Sequence, residues 1–224
     1  MKTHTQFLPI ALLAFAAVLF VGFYAPASNT ADDATIGAAA PAFILPGTDG
    51  ESYTLADFEG KFVVLEWLNF GCPYVKRHYN SGNMPELQQA YKDKDVVWLS
   101  IVSSSPGKQG YYEADGMNMQ NEKFGGQQTA ILLDPSGDVG RLYGAKTTPH
   151  MYIINPEGTL IYKGGIDDKP RARENETKTA NNYVRAALEE AMNGQEVSVA
   201  TARPYGCSVN YYLSVEFGVR SVVG

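Results

Sequence analysis

Two nearly unbroken apolar runs, residues 61–68 (Lys-Phe-Val-Val-Leu-Glu-Trp-Leu) and 96–102 (Val-Val-Trp-Leu-Ser-Ile-Val), constrain the fold more than any other feature. A strand with one wet face alternates apolar and polar residues. A run that does not alternate is covered on both faces. Two such strands separated by a helical stretch need layers above and below one sheet, which predicts an α/β domain with a central mixed sheet flanked by helices.

The other elements follow from punctuation. Residues 28–40 are rich in Ala, Asp and Asn and read as a linker, and order is expected from Pro41. Residues 47–50 read as a turn and 52–55 as a short strand. After Cys72 the pattern turns helical, with Pro73 suited to the first helical position. Ser81-Gly82 breaks that helix, and Asn83-Met84-Pro85-Glu86 reads as a capping box that restarts it to about Lys92. Residues 104–128 are rich in Gly, Ser, Gln and Asn and read as a long loop with a weak helix. A strand at 129–133 and a short helix at 137–143 follow. Strands at 151–154 and 159–163 form a hairpin around Asn155-Pro156-Glu157-Gly158. Residues 181–193 read as an amphipathic helix with Tyr183, Val184, Ala187, Leu188, Ala191 and Met192 on one face, capped by Gly194. The predicted organisation is 1–27 signal peptide, 28–40 linker, 41–195 domain and 196–224 C-terminal tail.

The signal reading rests on charge. After Lys2 no Asp, Glu, Lys or Arg occurs until Asp32, residues 7–24 are almost wholly apolar, and Ala25-Pro26-Ala27 offers a small-residue cleavage site. An uncleaved anchor is the rival, because this run is nearly long enough to span a bilayer. Either way the domain is expected in the periplasm or outside the cell, secreted or anchored facing the periplasm. Membrane contact is expected only through this segment, if it is uncleaved.

Formal net charge is −6 and no basic stripe is present, so nucleic acid is not expected as a partner. The three histidines, His4, His78 and His150, form no cluster with cysteine at metal-ligand spacing, and no cofactor is implied. Two cysteines, Cys72 and Cys207, allow one internal disulfide in an oxidising compartment.

Cys72 stands where the first apolar strand ends and a helix begins. Free N–H groups and the dipole at a helix N-terminus favour the thiolate, the reactive form of cysteine. Lys76 and Arg77 add positive potential if they point back. The bland alternative is a buried structural cysteine. Glu66, within the apolar strand, reads as a buried carboxylate that could pass protons to a sulfur, against the alternative of a solvated edge residue. Thr148-Pro149 enters a strand and suits a cis bond, and His150 is expected to follow strand geometry rather than to act.

Ala40-Pro41-Ala42-Phe43, Asp57-Phe58-Glu59-Gly60-Lys61, Cys72-Pro73, Thr148-Pro149 and the turn at 153–158 together resemble the thioredoxin-like redoxins of the alkyl hydroperoxide reductase/thiol-specific antioxidant group. The likeness covers about residues 36–195, and Cys72-Pro73-Tyr74-Val75-Lys76 is similar to the active site of peroxiredoxin-like members. It implies a thioredoxin-like fold, Cys72 as nucleophile, Pro149 as the cis-proline facing it, and Glu66 as the buried acid. Arg203-Pro204-Tyr205-Gly206-Cys207-Ser208-Val209 resembles the tail motif of the same group; residues 211–224 extend beyond it. A resolving cysteine three residues after Cys72 is replaced by Val75, and the position three before it is Asn69, where peroxiredoxins carry Thr or Ser. The peroxiredoxin Arg before the strand at 151–154 is also missing. These departures count against fast peroxide turnover and, because Val75 cannot resolve a mixed disulfide, against efficient dithiol reductase activity.

The expected function is that of an exported thiol-based oxidoreductase using one nucleophilic cysteine. Its substrate would be a peroxide or a protein or small-molecule disulfide, resolved by Cys207 or by an external thiol reductant. The rival is a redox-inactive binding or assembly module with Cys72 and Cys207 as a structural pair.

Overall fold

The computed structural model describes residues 34–212. The expected signal segment, residues 1–27, and the end of the tail, residues 213–224, lie outside them. Strands β1 (Ile44–Pro46) and β2 (Ser52–Thr54) form a small antiparallel pair ahead of β3 (Val63–Trp67). Helices α1 (Pro73–Asn80) and α2 (Asn83–Lys92) lead to β4 (Val97–Val102). Helix α3 (Ala114–Phe124), β5 (Ala130–Leu133) and α4 (Asp138–Leu142) follow. Strands β6 (Thr147–Thr148), β7 (His150–Ile154) and β8 (Leu160–Gly164), helix α5 (Tyr183–Met192) and strand β9 (Cys207–Ser208) complete the order.

The main sheet has five strands in the order β5-β4-β3-β7-β8. β3, β4 and β5 run parallel, while β7 and β8 are antiparallel to their neighbours. β3 and β4 are buried along their whole length, as unalternating runs require. Successive side chains leave the sheet on opposite faces. Val64 and Leu68 join Trp98, Met84, Leu87 and Leu188 in one core, and Val63, Leu65 and Trp67 join Leu99, Leu132 and Tyr152 in the other. No helix among the described residues is long and apolar enough to cross a membrane.

Three boundaries differ from the sequence reading. Residues 34–40 are docked rather than loose: Gly37 N–H donates to the Leu160 carbonyl, Leu160 N–H to Ala38, and Ala40 N–H to Gly158, with Ala34 buried. The capping box at Asn83 is absent. Gly82 is the N-cap of α2 and Asn83 is already helical, its amide turned to His78 instead. The tail also does not leave the domain at residue 196. Lys163 N–H donates to Ala200 and Ala202 N–H to Lys163 along β8, β9 pairs with β6, and Tyr211 Oη donates to the Ala145 carbonyl. At Gly164 (φ +159°) the tail backbone comes so close that a Cβ would overlap Ala202. That approach is what lets the tail run along the edge strand.

Candidate active site

Cys72 is the N-cap of α1, with extended backbone (φ −75°, ψ 126°), and Pro73 opens the helix. Proline there gives up only an N–H that had no intrahelical partner. The chain is held in this turn by Asn69, whose carboxamide oxygen accepts from Gly71 N–H at 2.7 Å while its amide donates to the Gln109 carbonyl at 3.3 Å. The Cys72 thiol donates to the Thr148 carbonyl at 3.1 Å, and the Thr148–Pro149 bond is cis, so Pro149 follows the residue that receives the thiol.

The tail completes the site. β9 pairs antiparallel with β6, and Cys207 lies directly opposite Thr148, the residue whose carbonyl receives the Cys72 thiol. Both cysteines are free thiols, and they lie near each other. Burial and the neighbouring Cys72 sulfur push the Cys207 thiol up to about 12. The sequence placed Cys72 at an open junction. Instead it is wholly buried, while Cys207, on the neighbouring β9, is partly buried. Gly206 (φ +147°) lets the tail come this close, since a Cβ there would overlap the Thr148 carbonyl oxygen.

Glu66 is wholly buried on the α1/α2 face of β3. Its Oε1 accepts from Tyr79 Oη at 3.0 Å, and its Oε2 accepts from Gln88 Nε2 at 3.0 Å, Trp98 Nε1 at 2.8 Å and Ser100 Oγ at 3.1 Å. Burial raises its pKa and the four donors oppose that rise. All four hydrogen bonds come from residues other than Cys72. Glu66 instead ties α1, through Tyr79, and α2, through Gln88, to β3 and β4.

Arg77 does not point back to the thiol. Its Nη1 donates to the carbonyls of Pro170 at 3.0 Å and Ala172 at 2.8 Å, and its guanidinium lies over the rings of Tyr74 and Tyr205. Lys76 is exposed. His150 follows strand geometry, with Nδ1 near Lys146 N–H and Tyr152 Oη. Burial, then Lys163 and Lys146, lower its pKa to about 3, so it is neutral at physiological pH.

Sequence reasoning missed the Thr148 carbonyl, the clearance at Gly206, and Tyr205. The Tyr205 hydroxyl donates to Asp167 Oδ1 at 2.6 Å and lies 3.1 Å from His78 Nε2. The Tyr-Gly-Cys triplet was visible in the tail, but nothing in it names partners 38 and 127 residues away.

A model of the AhpC/TSA family matches residues 36–163. The thiol-disulfide oxidoreductase ResA of Bacillus subtilis (strain 168) is 26% identical over 125 residues, covering 56% of this chain and 64% of ResA. ResA of Bacillus cereus (strain ATCC 10987) is 24% identical over 163 residues, covering 71% and 87%. The chain therefore spans less than two thirds of the first of these relatives and more of the second. Among solved structures, an uncharacterized conserved protein from Geobacillus kaustophilus superposes with a TM-score of 0.71 at 26% identity, covering 81% of this chain and 94% of the other. The fold is thioredoxin-like, with the central mixed sheet between helices.

Proposed function

The chain belongs to the AhpC/TSA family, and on that premise we propose that it is an exported thiol-disulfide oxidoreductase in which Cys72 attacks and Cys207 resolves. The observation that carries this is the register of β9 on β6. It sets Cys207 opposite Thr148, whose carbonyl holds the Cys72 thiol. A resolving thiol is thus supplied from the tail, where Val75 cannot supply one.

The Cys72 thiol gives up its proton and its sulfur attacks one sulfur of a substrate disulfide. An S–S bond forms to Cys72, the substrate S–S bond breaks, and one substrate thiolate leaves and takes a proton. The Cys207 thiolate then attacks Cys72, releasing the second substrate thiol. The substrate has gained two electrons and the protein holds a Cys72–Cys207 disulfide, which an external thiol reductant returns to the dithiol. The start of α1 favours the anionic sulfur at each stage. Burial first, then the neighbouring Cys72 sulfur, raise the Cys207 thiol to about 12, so Cys207 is held protonated while both cysteines are reduced. Pro149 presents the Thr148 carbonyl to the thiol, and Glu66 positions the helix that Cys72 caps.

A peroxide would be reduced by the same pair: Cys72 would take one oxygen as sulfenic acid, and Cys207 would displace it as water to give the same disulfide. Disulfides are favoured as substrates because Asn69 is committed to Gly71 and Gln109 instead of offering a hydroxyl to a peroxide. Residues 1–27 would direct the domain to the periplasm or the exterior. The relatives named thiol-disulfide oxidoreductases support the same chemistry.

The test is trapping. With a disulfide substrate, Cys207→Ser should accumulate a mixed disulfide on Cys72 and stop turning over, whereas Cys72→Ser should accumulate none. Wild-type turnover by Cys207→Ser would remove Cys207 from the mechanism, and wild-type turnover by Cys72→Ser would remove the whole reading.

A further inference from the structure

We propose that Tyr205 is a positioning residue for the resolving thiol, a latch that holds the tail across Cys72 through Asp167 and His78. The inference rests on the reading of Cys207 as the resolving cysteine and adds what keeps it in place. β9 is only two residues long and makes a short ladder with β6. So short a pairing does not hold a chain segment without side-chain anchors. Tyr205, two residues before Cys207, is the anchor on that side.

Its hydroxyl sits between His78 and Asp167. His78 Nδ1 lies 2.9 Å from Asn83 Nδ2, and its Nε2 lies 3.1 Å from the Tyr205 oxygen and 3.4 Å from Arg77 Nη2. The Tyr205 hydroxyl donates to Asp167 Oδ1 at 2.6 Å. The imidazole is neutral, since burial and the Arg77 charge lower its pKa to about 3. The Tyr205 ring also packs on α1: the Arg77 guanidinium lies 5.6 Å from its centroid, and the tilted Tyr74 ring is 6.0 Å away. His78, Arg77 and Tyr74 all belong to α1, the helix that Cys72 caps. The latch therefore fixes Cys207 relative to the same helix that carries the nucleophile. It also fits the full burial of Cys72: a tail held here covers the sulfur, and the tail has to lift before a substrate disulfide can reach it.

Losing the hydroxyl removes one of the two donors to Asp167 Oδ1, leaving Lys169 N–H, and takes the Tyr205 oxygen from His78 Nε2; a hydrogen bond to a carboxylate is worth about tenfold or more in an equilibrium. The experiment uses the full mature protein as wild type, Tyr205→Phe and Tyr205→Ala, with thermal melts to confirm folding. The reduced forms are alkylated with iodoacetamide, and the oxidised forms are equilibrated in glutathione buffers; both are read by peptide mass spectrometry. Tyr205→Phe should raise the alkylation rate of Cys72 and weaken the Cys72–Cys207 disulfide against glutathione, each by about tenfold, and Tyr205→Ala by more. A core-stability role alone would lower the melting temperature without moving either readout. Unchanged alkylation of Cys72 in both folded variants overturns the latch. Absence of the disulfide from wild type would overturn the resolving role of Cys207 instead, and the alkylation rates would still decide the latch. If Tyr205→Ala fails to fold, Tyr205→Phe, which keeps the ring and its contacts with Arg77 and Tyr74, decides alone.

Discussion

Glu66→Leu and Glu66→Gln should behave very differently, and the reason is the direction of the hydrogen bonds around one buried carboxylate. All four partners of Glu66 donate to it. Leucine fills similar space but accepts nothing. The Ser100 and Tyr79 hydroxyls can rotate to other acceptors. The Trp98 Nε1–H and one Gln88 N–H cannot, and each orphaned buried donor costs about 1–3 kcal/mol, or about 2–6 kcal/mol for the two. Glutamine keeps a carbonyl oxygen for Trp98, Gln88 and Ser100 and can turn its NH₂ toward the Tyr79 oxygen, so it should cost far less. The pH dependence supplies a second readout. Burial raises the folded-state pKa of Glu66 above its ordinary 4.5. The folded protein therefore binds that proton more tightly than the unfolded chain. Its contribution is full below about 4.5 and is lost as pH rises through the folded pKa. Glutamine does not titrate, so the stability of Glu66→Gln relative to wild type should improve as pH rises above 4.5. Urea unfolding followed by circular dichroism from pH 4 to 8 measures both effects. A Leu variant within about 1 kcal/mol of wild type, or parallel pH profiles for wild type and Gln, would refute the reasoning.

Gly206→Ala should dislodge the tail, because a Cβ would overlap the Thr148 carbonyl oxygen and φ is +147°; Cys72 alkylation should rise well above wild type. Peroxide reduction should be slow beside disulfide exchange, since Asn69 stands where a peroxide-binding hydroxyl is needed; stopped-flow peroxide consumption at a near-diffusion rate would contradict this. The exported protein should begin at Ser28, which N-terminal sequencing checks; retention of Met1 in a soluble cytoplasmic form would sink the export reading.

The sheet was legible because its signal is local. Residues 61–68 and 96–102 carry their double-sided burial in their own composition, and Cys72-Pro73 marks its own junction. Thr148-Pro149 likewise announced itself. The site's completion was not legible, because it is made by pairing between distant segments. Nothing in residues 203–209 specifies that Cys207 will face Thr148 or that Tyr205 will reach Asp167; tertiary packing decides that. Arg77 shows the same limit from the other side. Its charge beside Cys72 in sequence suggested help for a thiolate, yet two backbone carbonyls and two aromatic rings hold it elsewhere. Composition misled at residues 34–40, where small residues that resemble a linker are the ones that can lie flat against β8.

The central claim is that Cys207 resolves Cys72 within one chain, and non-reducing peptide mapping of the protein after one turnover with a disulfide substrate tests it most directly. With the tail seated on β6, Cys207 lies opposite Thr148, whose carbonyl accepts from Cys72, so once the tail reseats after substrate attack the digest should contain one peptide pair joined through Cys72 and Cys207. Substrate left on Cys72, with Cys207 recovered as a free thiol, would contradict the account.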